Sequence, residues 1–381
     1  MLSVKNPIMT GFFPDPSICR VGNKFYTVHS TFAYFPGVPV FESEDLVHWN
    51  LISNVLDRDS QVPLSGCQHS QGIFAPTIRY HKGTWYMITT NVSDQGNFIV
   101  TAKDPRGPWS EPYYLGESTG GIDPSLFFDD DGTCYYIGQR PRSAGYRYNG
   151  DCEIWIQTLD LDTMQLKPDA TIVLTGFQRK AIWPEGPHLY KKDGYYYILH
   201  AESGTSIHHS VMIARSKNVF GPYEYCPCNP ILTHRHLGAQ YPVTCVGHAD
   251  LVDDGNGNWY MVVLACRPNQ GYTLLGRETF LAKVTWEDGW PVVNAGVGHL
   301  EEVVTLPYEG QPSDDVPQCK TYTFDTPSLP LELLTLRNHR DHELELHAEE
   351  HIVRLFHRCD SLKDCGEPAY LALRQQHWNC E

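Results

Sequence analysis

Long apolar runs are missing from this 381-residue chain. No stretch approaches the roughly 18 to 20 consecutive apolar residues of a bilayer span. The opening Met1-Leu2-Ser3-Val4-Lys5-Asn6-Pro7 has no basic segment leading into an apolar one, so a cytoplasmic protein with no membrane partner is expected. Positive charge is scarce as well: 29 Lys and Arg against 45 Asp and Glu leave a net charge of −16, without the basic face that nucleic acid or anionic lipid requires. A neutral substrate fits that balance. Long helical periodicity is also absent. The 12 cysteines (Cys19, Cys67, Cys134, Cys152, Cys245 and Cys266 among them) form no CxxC pair at zinc-ligand spacing, and Cys226-x-Cys228 is tight and isolated. Free buried thiols in a reducing compartment are expected.

Aromatic residues are plentiful, with 22 Tyr, 15 Phe and 9 Trp, and they are interspersed with 31 Gly and 27 Pro. That mixture suits short strands punctuated by turns. One phrase recurs five times: a short apolar strand, a Gly-containing turn and a Tyr- or Trp-rich strand. It runs Asp15-Pro16-Ser17-Ile18 to Phe25-Tyr26, Ala75-Pro76-Thr77-Ile78 to Trp85-Tyr86, Asp123-Pro124-Ser125-Leu126 to Tyr135-Tyr136, Gly186-Pro187-His188-Leu189 to Tyr196-Tyr197, and His248-Ala249-Asp250-Leu251 to Trp259-Tyr260. The starts are 60, 48, 63 and 62 residues apart. A period of that length holds four antiparallel strands, one blade of a β-propeller, so an all-β, five-bladed propeller over residues 1–305 is expected. Residues 306–320, Pro- and Asp-rich, read as a linker. In residues 321–381, Thr321-Tyr322-Thr323-Phe324-Asp325 and Glu343-Leu344-Glu345-Leu346-His347 read as strands beginning a C-terminal, sandwich-like domain that the chain leaves incomplete.

In a propeller the first strand of each blade lines the central channel, so the equivalent first positions converge. Four of the five copies bring proton chemistry there: Asp15, Asp123, Glu185 (one place ahead of its repeat position) and His248. Ala75 brings none. Taken singly, each has an ordinary explanation: Asp-Pro is a common turn element, a loop glutamate is commonly solvated and a lone histidine commonly packs in a core. Their joint placement decides otherwise. Carboxylates at a pocket floor can cleave a glycosidic bond, one donating a proton to the leaving oxygen while another activates water, and a neighbouring negative charge keeps the acid protonated. Asp129-Asp130-Asp131-Gly132 and Asp253-Asp254-Gly255-Asn256-Gly257-Asn258 lack the ligand alternation of a calcium loop and read as hairpin turns.

Seven phrases together resemble glycoside hydrolase family 43, in particular its β-xylosidases and α-L-arabinofuranosidases. They are Gly11-Phe12-Phe13-Pro14-Asp15-Pro16-Ser17, Ser30-Thr31-Phe32-Ala33-Tyr34-Phe35-Pro36-Gly37, Asp45-Leu46-Val47-His48-Trp49, Gly72-Ile73-Phe74-Ala75-Pro76, Glu185-Gly186-Pro187-His188-Leu189, Gly247-His248-Ala249 and Leu275-Gly276-Arg277-Glu278-Thr279. The resemblance covers residues 5–300. It implies a five-bladed propeller working by inversion, with Asp15 as general base, Asp123 as the residue that tunes pKa and orients, and Glu185 as general acid. It further implies substrate contacts from Arg277, Phe32 and Phe74, the last standing where xylosidase-like members usually carry Trp. His248 is implied in the central channel, where some relatives hold a calcium ion, although no cofactor is required. Inversion sets acid and base carboxyls roughly 6.5 to 9.5 Å apart. The activity expected is release of terminal β-D-xylose from xylo-oligosaccharides, together with α-L-arabinofuranosidase activity on arabinose-substituted oligosaccharides. The alternatives are an arabinan-trimming enzyme and a propeller that binds carbohydrate without cleaving it. A homo-oligomer stays open.

Overall fold

Each copy of the repeated phrase is a hairpin. In the fourth, Glu185–Lys192 pairs antiparallel with Tyr195–Glu202 across the two-residue loop Asp193-Gly194, whose φ angles are +49° and +76°. Two left-handed residues in succession make the turn whose twist matches that of the paired strands, and Asp-Gly is well suited to it. In the computed structural model, residues 1–116, 120–311, 320–338, 344–356, 366 and 368–378 are described.

Two further strands extend each hairpin into an antiparallel sheet of four strands in sequence order, and the third sheet gains an extra strand, Thr171–Thr175. The innermost strands are Ser17–Val21, Thr77–His81, Ile122–Phe128, Glu185–Lys192 and Thr244–Asp253. Each touches the next, and the last returns to the first, closing the ring of five blades. The strand Trp259–Cys266 shows how the sequence builds this. It is buried along nearly its whole length, and its side chains alternate: Met261, Val263 and Ala265 pack towards the fourth blade while Tyr260 and Val262 pack towards the first. Every gap between neighbouring blades is filled by an apolar cluster of its own, for example Tyr86, Ile88, Tyr136 and Trp155 between the second and third. The ring is clasped by Leu2–Lys5 pairing with Val303–Leu306, with Leu2 and Val304 buried in the cluster between the fifth and first blades. Among the described residues no helix is long and apolar enough to cross a membrane.

Beyond the clasp, most of the expected linker (312–319) lies outside the described residues. Thr321–Asp325 is not the strand its alternation suggested, since Phe324 adopts φ +50° and breaks the extended run. Leu344–His347 is a strand, paired with Ile352–Leu355. The chain also returns to the propeller: Leu333–Leu336 pairs with Ala372–Leu373 on one side and with Tyr34–Phe35 of the first blade on the other. Cys134, Cys152, Cys226 and Cys266 are buried free thiols, and both Asp-rich segments are turns between paired strands.

Candidate active site

The repeat-equivalent positions share one unusual backbone conformation. Asp15, Asp123, Gly186 and His248 have φ of +52°, +55°, +58° and +49°. For the three that are not glycine this left-handed region is disfavoured, and such strain concentrates at functional sites. In the third, fourth and fifth blades the same place is a register break at the start of the inner strand, between Ile122 and Ser125, between Glu185 and His188, and on both sides of Gly247. A bulge of this kind re-aims a side chain out of the sheet. It also accounts for the displacement of Glu185 by one residue. In the fourth blade glycine takes the left-handed position, and a Cβ on Gly186 would lie 2.9 Å from the His248 imidazole, so the carboxyl comes from the residue before it.

Asp15 is buried, with Oδ1 accepting from Arg277 Nη1 at 2.8 Å and Oδ2 accepting from the Ser30 hydroxyl at 2.6 Å. His248 Nδ1 stands 3.8 Å from Oδ1. Burial alone would raise this carboxyl, but the charges of Arg277 and His248 and the Ser30 hydrogen bond outweigh it and hold Asp15 below the usual carboxylate value. Asp123 is displaced the opposite way. Burial, with the Asp15 charge adding to it and His248 opposing, pushes it up to about 6. Its Oδ2 accepts the Gly186 N–H at 3.1 Å, which ties the Asp123 carboxyl to the backbone carrying Glu185. Glu185, partly exposed, is raised well above the ordinary glutamate value by desolvation and then by the charges of Asp123 and Asp15, with Arg277 opposing. One carboxyl is therefore kept ionised and another kept protonated over the same floor, the division that acid–base catalysis needs.

Phe32, Phe74 and Arg277 gather beside Asp15. Phe32 lies 5.2 Å from Phe74 and 5.7 Å from Phe12 between ring centroids, and the Arg277 guanidinium sits 5.0 Å over the Phe32 ring. Arg277 is steadied from behind. Its carbonyl accepts the Phe13 N–H, and the adjacent Glu278, buried, accepts both the Gly11 N–H and the fork of Arg267. Arg267 in turn faces the Trp378 ring, Arg374 faces Phe13, and a Cβ on Gly11 would strike the Gln375 carbonyl at 2.4 Å. The C-terminal segment thus packs on the rim of the site. Sequence reasoning did not single out Ser30, Arg267 or Trp378. Ser30 was within reach, since it opens one of the seven family-like phrases.

Two residues further along the inner strands lies a second polar layer. Asp250 accepts from the Ser17 hydroxyl (2.8 Å), the Ile18 N–H (3.0 Å), Arg79 Nη1 (3.1 Å) and the Tyr190 hydroxyl. His188 Nδ1 lies 3.1 Å from both Arg79 Nη2 and the Ser125 hydroxyl. All five blades contribute, and burial, outweighed by Arg79 and His188, leaves Asp250 at about 2. These surroundings do not fit the calcium ion expected at His248. The one carboxylate of the described residues within 4 Å of that imidazole is already paired with Arg277, and a guanidinium occupies the layer beneath. Among the described residues no cluster of three or more His, Cys, Asp or Glu side chains could hold a metal.

A cleft of about 1210 Å³ opens from Glu185 across the second, third and fourth blades, lined by Asn91, Tyr114, Tyr146, Tyr148 and Trp183 among others. Asp15 and Asp123 are not part of its lining.

Comparison with known proteins identifies the family. The family model described as Glycosyl hydrolases family 43 matches residues 4–291, and that of the Beta xylosidase C-terminal Concanavalin A-like domain matches residues 321–381. The chain is 57% identical over 378 residues to a protein of Butyrivibrio fibrisolvens named "Xylosidase/arabinosidase", covering 99% of this chain and 73% of that one. It is 41% identical over 387 residues to a "Non-reducing end alpha-L-arabinofuranosidase" of Bacteroides ovatus, covering 98% and 69%. The solved xylan beta-1,4-xylosidase of Bacillus halodurans C-125 superposes with a TM-score of 0.88 at 39% identity, covering 98% of this chain and 72% of that one.

Proposed function

The chain belongs to glycoside hydrolase family 43, and on that premise we propose that it releases terminal β-D-xylose from xylo-oligosaccharides by inversion, with α-L-arabinofuranosidase activity in the same pocket. Glu185, protonated, donates to the leaving glycosidic oxygen as the bond to the anomeric carbon breaks. Asp15, ionised, takes a proton from the water that attacks the opposite face of the sugar. Asp123 acts on Glu185 in two ways, by its charge and by its hold on the Gly186 N–H. Arg277 holds Asp15 as an anion and, from above the Phe32 ring, presents the rest of its fork to the sugar.

The observation that carries the reading is the opposed setting of Asp15 and Glu185: one is paired with a guanidinium and a hydroxyl, the other is desolvated beside two negative charges. The test compares aryl β-D-xylopyranosides with good and poor leaving groups in the wild type and in Glu185→Ala. Loss of the acid should reduce turnover by about 10²- to 10⁴-fold with a poor leaving group and far less with an activated one. Equal losses on both would remove Glu185 from the role. The anomer first released, read by NMR, should be α-D-xylose.

The arabinofuranosidase component is supported by the Bacteroides ovatus relative and by Phe74, a smaller ring than Trp beside Phe32. The ratio of rates on aryl α-L-arabinofuranoside and aryl β-D-xylopyranoside measures it. The buried free thiols support a cytoplasmic location.

A further inference from the structure

Two cysteines meet where the innermost strand of the fifth blade leaves its register. Thr244 is the partner of Cys266 and Gly247 that of Leu264, so Cys245 and Val246 together stand opposite the single residue Ala265. A regular strand would send the Cys245 side chain to the face opposite those of Thr244 and Cys266. Instead Cys245 adopts φ +59°, a conformation uncommon outside glycine, and its thiol meets the Cys266 thiol in a hydrogen bond. Both thiols are free, Cys245 half-buried and Cys266 buried. They are not equivalent. The hydrogen bond from Cys266, helped by the Thr244 side chain and outweighing burial, holds Cys245 below the ordinary thiol value, while the same bond and burial hold Cys266 above it. A partly exposed thiolate beside a second thiol is the setting in which oxidation to a disulfide is favoured.

The pair is connected to the catalytic floor through both strands. The Cys245 carbonyl accepts from His209 Nδ1 at 3.0 Å, and the His209 ring lies against Gly247, where a Cβ would come within 2.5 Å, immediately before His248. Cys266 precedes Arg267, whose fork holds Glu278 beside Arg277.

We propose that Cys245 and Cys266 form a reversible disulfide in the presence of peroxide, and that this bond slows catalysis by displacing His248 and the Arg267–Glu278 support of Arg277. The Cys245 thiolate attacks one oxygen of hydrogen peroxide and breaks the O–O bond, giving the sulfenic acid and hydroxide. The Cys266 sulfur then attacks the Cys245 sulfur and displaces its oxygen, which leaves with the Cys266 proton as water. Two thiols are oxidised and one peroxide is reduced to two waters. The disulfide stands apart from the glycosidase reading; its effect on rate rests on that reading.

Wild type treated with an equivalent of hydrogen peroxide should yield a peptide linking Cys245 to Cys266. Its kcat/KM on an aryl β-D-xylopyranoside should fall by about tenfold or more, since a displacement of about 1 Å can cost on the order of 10²-fold, and dithiothreitol should reverse both changes. Cys245→Ser and Cys266→Ala should keep the activity of the reduced wild type and lose the response. Cys226→Ser, which breaks the other thiol pair, Cys226 with Cys228, should respond as the wild type does. Absence of the linked peptide, a linked peptide with unchanged kcat/KM, or a Cys245→Ser enzyme inactivated as much as the wild type overturns the proposal. Should Cys266→Ala fail to fold, Cys245→Ser and the peptide map of the wild type decide, because the Cys245 side chain is only half-buried. A reduced wild type without turnover would overturn the glycosidase reading and with it the effect on rate, while the peptide map would still decide the disulfide.

Discussion

Asp123 binds its proton more tightly in the folded protein than in the unfolded chain, and this has consequences for both rate and stability. A carboxyl raised from 3.8 to about 6 contributes fully to stability below about pH 4, and that contribution is lost as pH rises through 6. A proton held that much more tightly is worth about 3 kcal/mol. Asp123→Asn should therefore be more stable than the wild type at pH 7 by up to about 3 kcal/mol, with the difference closing towards pH 4; denaturant midpoints at the two pH values read it. A variant no more stable at pH 7 would mean that Asp123 is not held against its charge. The same substitution removes a negative charge from beside Glu185, so Glu185 should ionise at lower pH. In the residual activity of Asp123→Asn the alkaline limb of kcat/KM should move down, while the acid limb, set by Asp15 below the usual carboxylate range, should persist. An alkaline limb that stays in place would separate Asp123 from the tuning of Glu185.

The inner strands turn these single residues into a site by breaking register where each begins. Gly186 tests that device. Alanine there must hold φ +58°, costing roughly 1 to 2 kcal/mol, and its Cβ would press on the His248 ring 2.9 Å away. Since a displacement of about 1 Å can cost on the order of 10²-fold in rate, Gly186→Ala should lose activity by at least tenfold. Gly194→Ala, with a similar φ of +76° but nothing within 4 Å, should lose stability alone. Parallel kinetics of the two variants check this, and a fully active Gly186→Ala would refute it. The hairpins themselves were legible in the sequence, because Asp193-Gly194 and the aromatic second strands are local signals repeated five times. The offset of Glu185 was visible there too, but its cause was not, since it depends on a ring that arrives from 62 residues away. Arg267 and Trp378 were hidden for a related reason. Each acts through a partner on another element, and composition carries no trace of such pairing. Thr321–Asp325 failed for the opposite reason: alternation promised a strand, but Phe324 turns the backbone out of it.

At the scale of the molecule, five blades with separate apolar clusters are joined along the channel by one buried carboxylate. Asp250 reaches the first blade through Ser17, the second through Arg79 and the fourth through Tyr190, and His188 extends the network to Ser125 of the third. Taking one member from such a network leaves a buried charge without its counter-charge, a loss of about 3–5 kcal/mol. Asp250→Ala should show that loss in denaturant unfolding, whereas Arg79→Met combined with Asp250→Leu should recover much of it, because neither charge then remains buried alone. A double variant as unstable as the single one would show that the channel needs the hydrogen bonds rather than the charge balance. The network also bears on the ion expected at His248. With Arg79 beneath and Arg277 already neutralising Asp15, positive charge in the channel comes from the chain itself. Prolonged EDTA treatment should then leave both kcat/KM and the unfolding midpoint unchanged, and added calcium should raise neither. A chelator-dependent fall in either would show that the arginines leave room for a cation, and the Asp15–Arg277 pair would then be the first contact to re-examine.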